Sequence, residues 1–119
     1  MNIMVVDDSK IMRQMIMEVC KNFKGMNVVA TASDGVAAIE AFKKFNPQFI
    51  TMDLTMPNLD GVEAIREIIS LDASVKILVI SALSDQETAL ESISAGAKGF
   101  LYKPFSKDEL TEALIGILN

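Results

Sequence analysis

A doubly wound α/β domain, one parallel five-stranded sheet covered by helices on both faces, is the fold class this sequence predicts. Three observations point there. Five short apolar runs alternate with five segments of helical period over 119 residues, and strict alternation with short connections calls for parallel strands joined by crossover helices. The first, third and fourth runs are the most continuously apolar, as central strands buried on both faces should be. The second and fifth are more polar and belong at the edges. A flavodoxin-like (βα)5 sheet of order 2-1-3-4-5 meets all three conditions.

The first strand is Ile3-Met4-Val5-Val6, followed at once by Asp7-Asp8-Ser9. Helix one carries Ile11, Met12, Met15, Ile16, Val19, Cys20 and Phe23 on a 3.6-period stripe, with Gly25 as the expected C-cap. Val28-Val29-Ala30 is the second strand. Helix two begins near Ser33-Asp34, presents Ala38, Ile39, Phe42 and Phe45, and is ended by Pro47. Phe49-Ile50-Thr51-Met52 is the third strand, bounded by Pro47 and Pro57. Helix three starts near Asp60, with Val62, Ile65, Ile68 and Ile69 on one face. The fourth strand runs from Val75 to Ile80 and ends at Ser81. Ser84-Asp85-Gln86-Glu87 is a capping box for helix four, whose thin stripe of Leu90 and Ile93 predicts a loosely held helix closed by Gly96. Strand five is Lys98 to Tyr102. A second capping box, Ser106-Lys107-Asp108-Glu109, opens helix five with Leu110, Ala113, Leu114, Ile117 and Leu118.

Composition narrows the function. A chain of this length, half hydrophobic, is one globular domain, residues 1–119. A net charge of −5 argues against a nucleic-acid or anionic-membrane surface. The single cysteine, Cys20, rules out a disulfide within the chain and a cysteine zinc site, and the lack of histidine removes Ser-His-Asp and Cys-His catalysis. No apolar run reaches the roughly 18 residues of a membrane span, and the first residues lack a basic signal-peptide region. The expected location is the cytoplasm.

In an open parallel sheet, ligands bind beyond the carboxyl ends of the strands. The polar residues predicted there are Asp7, Asp8, Asp53, Ser81 and Lys103. Each alone has a bland explanation: an N-cap, a loop hydroxyl, a solvated charge, or a turn aspartate bonded to its own loop. Three carboxylates on adjacent strand ends are harder to dismiss, since like charges disfavour joint ionisation unless cations offset them. Lys103 is one such cation, and an oxygen-rich acidic cluster readily accepts Mg²⁺. One nucleophilic carboxylate, one hydroxyl and one ammonium make a phosphoryl-transfer set. Nucleotide binding has nothing to rest on, because there is no GxGxxG and no Walker loop.

The segments Val5-Val6-Asp7-Asp8-Ser9, Met52 through Gly61, Ser81-Ala82, Ala95-Gly96-Ala97 and Lys103-Pro104-Phe105 together resemble the receiver domain of two-component response regulators, in its stand-alone form. The resemblance covers essentially the whole chain. It implies Asp53 as phosphoacceptor, with Asp7, Asp8, Asp53 and the carbonyl of Thr55 around Mg²⁺ and Lys103 on a phosphoryl oxygen. Ser81 and Phe100 become the switch residues, and Lys103-Pro104 a cis peptide. Ser81 stands where threonine is more usual and Phe100 where tyrosine is frequent; neither breaks the mechanism. Thr55 and Leu83 lie where the family tunes the lifetime of the phosphoryl group. The implied partners are a sensor histidine kinase or phosphotransfer protein and a downstream target, in chemotaxis or a phosphorelay. The target surface would be helix four, strand five and helix five. The chain is expected to be monomeric, with dimerisation on phosphorylation open, and to catalyse only its own phosphorylation and dephosphorylation. Two other classes compete with this one. An aspartyl phosphatase would carry a DxD that Asp7-Asp8-Ser9 lacks, and a constitutive interaction module would not need the complete pocket.

Overall fold

The computed structural model describes residues 1–83 and 85–118. Its elements alternate as β1 (Asn2–Val6), α1 (Lys10–Cys20), β2 (Asn27–Ala32), α2 (Gly35–Phe45), β3 (Phe49–Met52), α3 (Gly61–Leu71), β4 (Lys76–Ser81), α4 (Gln86–Ala95), β5 (Gly99–Tyr102) and α5 (Lys107–Leu118). All strand pairs are parallel, in the order β2-β1-β3-β4-β5. Among the described residues no helix is long and apolar enough to cross a membrane.

Successive side chains of a strand point to opposite faces, and the sheet therefore divides the core in two. Met4, Val6, Ile50, Met52, Ile77 and Val79 pack under α2 and α3. Ile3, Val5, Phe49, Leu78 and Ile80 pack under α1 and α5. β1, β3 and β4 supply both layers, which is why their sequences are apolar without alternation. Cys20 lies in the second layer, and burial pushes its thiol up to about 11, so it stays protonated and inert.

The helix starts follow their caps. Asp34, Asp60 and Asp85 accept from the amides of Ala37, Glu63 and Thr88. Ser106 and Glu109 bond reciprocally, the Ser106 N–H to Glu109 Oε1 at 2.9 Å and the Glu109 N–H to Ser106 Oγ at 3.1 Å. Ser84, expected to open the box at α4, lies outside the described residues; Asp85 is the cap.

Four expectations need correction. Helix one ends at Cys20 with Lys21 as its C-cap, so Phe23 and Gly25 belong to the turns that follow. Ile11 lies on the predicted stripe of α1 but is 79% exposed, because the first turn projects past the strand ends. Phe45, in the last turn of α2, is also exposed, with Lys44 Nζ 5.3 Å from its ring centre. On α4 the thin stripe faces outward: Leu90 is 64% and Ile93 45% exposed, and Ser92 is the buried residue, its hydroxyl bonded to the Ala89 carbonyl. The helix packs through small residues, Ser92 and Ala95 among them, and not through the predicted stripe.

Candidate functional site

Strand phase decides which side chains meet. Asp7, Asp53 and Lys103 each stand one step beyond a strand. Alternation carries them to the α1/α5 side, continuing Ile3 and Val5, Phe49 and Thr51, and Leu101. The ion pairs agree: Lys103 Nζ lies 2.8 Å from Asp7 Oδ2 and 3.8 Å from Asp53 Oδ1. Asp8, the next residue along, is exposed yet joins the group. Carboxylate oxygens of Asp7, Asp8 and Asp53 all lie within 4.8 Å of one another. Ser81 falls on the opposite side, in phase with Ile77 and Val79 and paired with Tyr102, while Val79 pairs with Phe100. The acidic trio and its lysine thus sit toward one face, and the two expected switch residues toward the other.

Backbone groups hold the carboxylates. Asp7 Oδ1 accepts from the Ser9 N–H at 2.9 Å, and Asp53 Oδ1 accepts from the Thr55 N–H at 3.3 Å. The Asp53 bond is the local turn contact of the bland alternative, so that alternative is present as well as the cluster. Ser81 is buried; its Oγ accepts from the Leu83 N–H at 3.0 Å and its carbonyl from the Lys103 N–H at 2.9 Å. The Lys103–Pro104 peptide is cis, as expected. Phe100 is half-buried against the α2/α3 layer, its ring centre 4.8 Å from that of the exposed Tyr102.

Burial is the main cause that pushes the Asp53 carboxyl up to about 6. The charge of Asp7 adds to it and Asp8 contributes a little more, while Lys103 and the Thr55 amide offset only part. Three carboxylates face one ammonium, so the ionised cluster is two charges short of neutrality. A hard divalent cation with a preference for oxygen fits both the donor set and that deficit.

Sequence inspection missed several supporting contacts. Arg13 Nη1 donates to the Asp7 carbonyl at 2.7 Å, pinning the turn after β1. Gly61 is packed so tightly that a Cβ there would stand 2.3 Å from the Asp53 carbonyl oxygen. Asn58 bonds to Asp34 across 24 residues. Only Gly61 carried a signal, as a glycine directly after the helix cap. A cavity of about 600 Å³ between the end of α1 and the edge strand β2 lies away from the carboxylates. A smaller one of about 340 Å³ opens beside Thr55, Met56 and Leu83.

Comparison with known proteins agrees with this geometry. The profile of the response regulator receiver domain matches residues 3–115. The chemotaxis protein CheY of Bacillus subtilis is 43% identical over 118 residues, covering 98% of this chain and 97% of that protein. CheY of Thermotoga maritima is 40% identical over 112 residues, covering 94% and 92%. The crystal structure of a CheX-CheY-BeF3-Mg²⁺ complex from Borrelia burgdorferi contains a chain similar at a TM-score of 0.93. That chain has 28% sequence identity, with 99% of this chain and 89% of that one covered.

Proposed function

The chain belongs to the response regulator receiver family, and from that premise we propose how its own residues work the switch. Phosphorylation-dependent signalling in two-component systems is the family's function, and chemotaxis is the setting of its CheY relatives. It is a signalling protein and not an enzyme acting on a free metabolite. The observation that carries the assignment of residues is the convergence of Asp53, Lys103 and the Asp7–Asp8 pair at the carboxyl edge of the sheet.

Asp53 is the phosphoacceptor. One carboxylate oxygen attacks the phosphorus of a phosphohistidine on a sensor kinase or phosphotransfer protein. An O–P bond forms, the P–N bond breaks, and the imidazole leaves with the bonding pair. With its carboxyl near 6, Asp53 is about nine-tenths ionised at pH 7, so the nucleophile is available. Asp7, Asp8, Asp53 and the Thr55 carbonyl are the groups that would hold Mg²⁺, which when bound neutralises charge on the phosphoryl oxygens. Lys103 shifts its ammonium from the carboxylates toward a phosphoryl oxygen, and Ser81 turns its hydroxyl from the Leu83 amide to another. The same groups serve hydrolysis of the aspartyl phosphate.

The output is a change of surface. Ser81 and Phe100 share the face toward α3 and α4, so a rotation of Ser81 is felt at Phe100 and then at α4. Exposed Leu90, Ile93 and Tyr102 support a target-docking role for the α4-β5-α5 surface. The cytoplasm, where a kinase draws its ATP, is the compartment this implies. A monomer before phosphorylation is expected, with dimerisation checked by light scattering.

Intact mass after incubation with Mg²⁺ and acetyl phosphate tests the chemistry. A single alkali-labile phosphoryl adduct should form on the wild type and be missing with Asp53→Asn or with EDTA. No adduct from this donor or from a panel of sensor kinases would move the assignment to a constitutive interaction module.

A further inference from the structure

We propose that Asn58 and Asp34 form a positioning pair that holds the loop after β3 in the shape its chemistry needs. The inference rests on the assignment of Asp53 as acceptor and deepens it. Thr55 is the part of this loop that touches the acceptor, through its N–H on Asp53 Oδ1. Beyond Thr55 the chain must reverse sharply, because the Gly61 N–H returns to the Leu54 carbonyl at 3.0 Å. The reversal contains a three-residue γ-turn: the Leu59 N–H donates to the Pro57 carbonyl at 2.9 Å, and Asn58 between them has φ +71°. The positive-φ γ-turn is rare and strained. Such backbone persists where the surroundings over-determine it.

The surroundings here are the first turn of α2. Asn58 Nδ2 donates to Asp34 Oδ2 at 3.0 Å, while Asp34 Oδ1 accepts from the Ala37 N–H at 2.8 Å. One carboxylate therefore caps α2 with one oxygen and grips the loop with the other. Gly35 lets the two segments close up, since a Cβ there would stand 2.3 Å from the Leu59 carbonyl oxygen. The Ala37 amide first, and the Asn58 amide second, hold the Asp34 carboxyl below its usual range, so the bond is charge-assisted at neutral pH. Neither side chain touches a reacting atom. They act through Thr55 and the turn behind it.

Asn58→Gly keeps the positive φ without steric cost and removes only the amide. Asp34→Ser keeps a cap oxygen but loses the second one. Asp34→Asn can still cap and still meet Asn58, amide to amide, so it should restore most of the wild-type behaviour. With acetyl phosphate and Mg²⁺, the maximal rate of adduct formation should fall about tenfold in N58G and in D34S, at an unchanged half-saturating donor concentration. The double variant should be no slower than either single one. Without any donor, exchange of the Thr55 and Leu59 amides should rise about tenfold in both. Wild-type rates in N58G and D34S, additive losses in the double variant, or unchanged amide exchange would each overturn the pair. A wild type that takes no adduct would sink the acceptor assignment and the rate half of this inference; the donor-free exchange measurement still decides whether the pair braces the loop.

Discussion

Asp53→Asn should make the protein more stable at neutral pH, by an amount that the site itself determines. Asp53 is 4% exposed, and its carboxyl is raised from 3.8 to about 6. Between those values the folded chain binds the proton more tightly than the unfolded chain, so stability falls as pH rises through that window. Above it, the fold bears the whole cost of an ionised carboxylate buried beside Asp7. About two pKa units correspond to about 3 kcal/mol. Below 3.8 the group is neutral in both states and the cost vanishes. Asparagine has nearly the same shape, keeps an oxygen for the Thr55 amide and cannot ionise. In EDTA, the variant should exceed the wild type by about 3 kcal/mol at pH 7.5, with the difference shrinking toward zero near pH 4. Urea unfolding followed by circular dichroism at several pH values measures this, and subtracting the two curves cancels the titration of Asp34, Asp72 and Asp85. Adding Mg²⁺ should narrow the gap at pH 7.5 by stabilising the wild type, since a ligand of the folded state adds to its stability. A gap that does not vary with pH, or a variant less stable than wild type at pH 7.5, would refute the reasoning.

Three further changes probe the same neighbourhood. Lys103→Met strands Asp7, whose side chain is 1% exposed, and should cost about 3 kcal/mol at pH 7 in urea unfolding, the scale of a buried pair broken from one side. Thr51→Val should stabilise by about 1 kcal/mol, because Thr51 Oγ1 is buried with no hydrogen-bond partner among the described residues; a loss in the melting curve would mean that the hydroxyl is satisfied. Gly61→Ala drives a Cβ into the backbone of Asp53 and Leu54, at 2.3 and 2.6 Å. It should cost about 1–3 kcal/mol as an overpacking change and slow adduct formation, which intact-mass time courses would show.

The strands and the helix faces were legible because burial imposes period. Phe49 to Met52 had to be covered on both sides, and Ile65 and Ile68 on one. Period does not say how far neighbouring elements reach, so Ile11 and Phe45, at opposite ends of their helices, fit a stripe yet lie uncovered. The same gap hid the orientation of α4, where three small polar or alanine positions pack inward and the two largest apolar ones face out. At the site, Asp53 had an adequate local explanation, the Thr55 turn bond, and only its companions on other strands outweighed it. The Asp34–Asn58 bond stayed invisible for the mirror-image reason. Asp34 is explained as a cap and Asn58 as a turn residue, and nothing in either neighbourhood calls for the other.

The two-sided layout follows from phase alone. A residue one step past β1, β3 or β5 falls toward α1 and α5, while Ser81, the last residue of β4, falls toward α3 and α4. A charge added at Asp53 therefore arises on one side of the sheet, and its proposed readout at Phe100 lies on the other. The link between them is short. The Lys103 N–H donates to the Ser81 carbonyl at 2.9 Å, and the Lys103 ammonium reaches Asp7 and Asp53. A movement of Lys103 toward a phosphoryl group would pull on Ser81, whose hydroxyl is proposed to turn as well, and would couple the two faces through one side chain and one backbone bond. Removing the ammonium should weaken this coupling even if Asp53 takes a phosphoryl group, leaving only the Ser81 hydroxyl to carry it. Lys103→Met carrying an adduct should alter the amide exchange of α4 less than the wild type carrying one does. An equal change in both would place the link elsewhere.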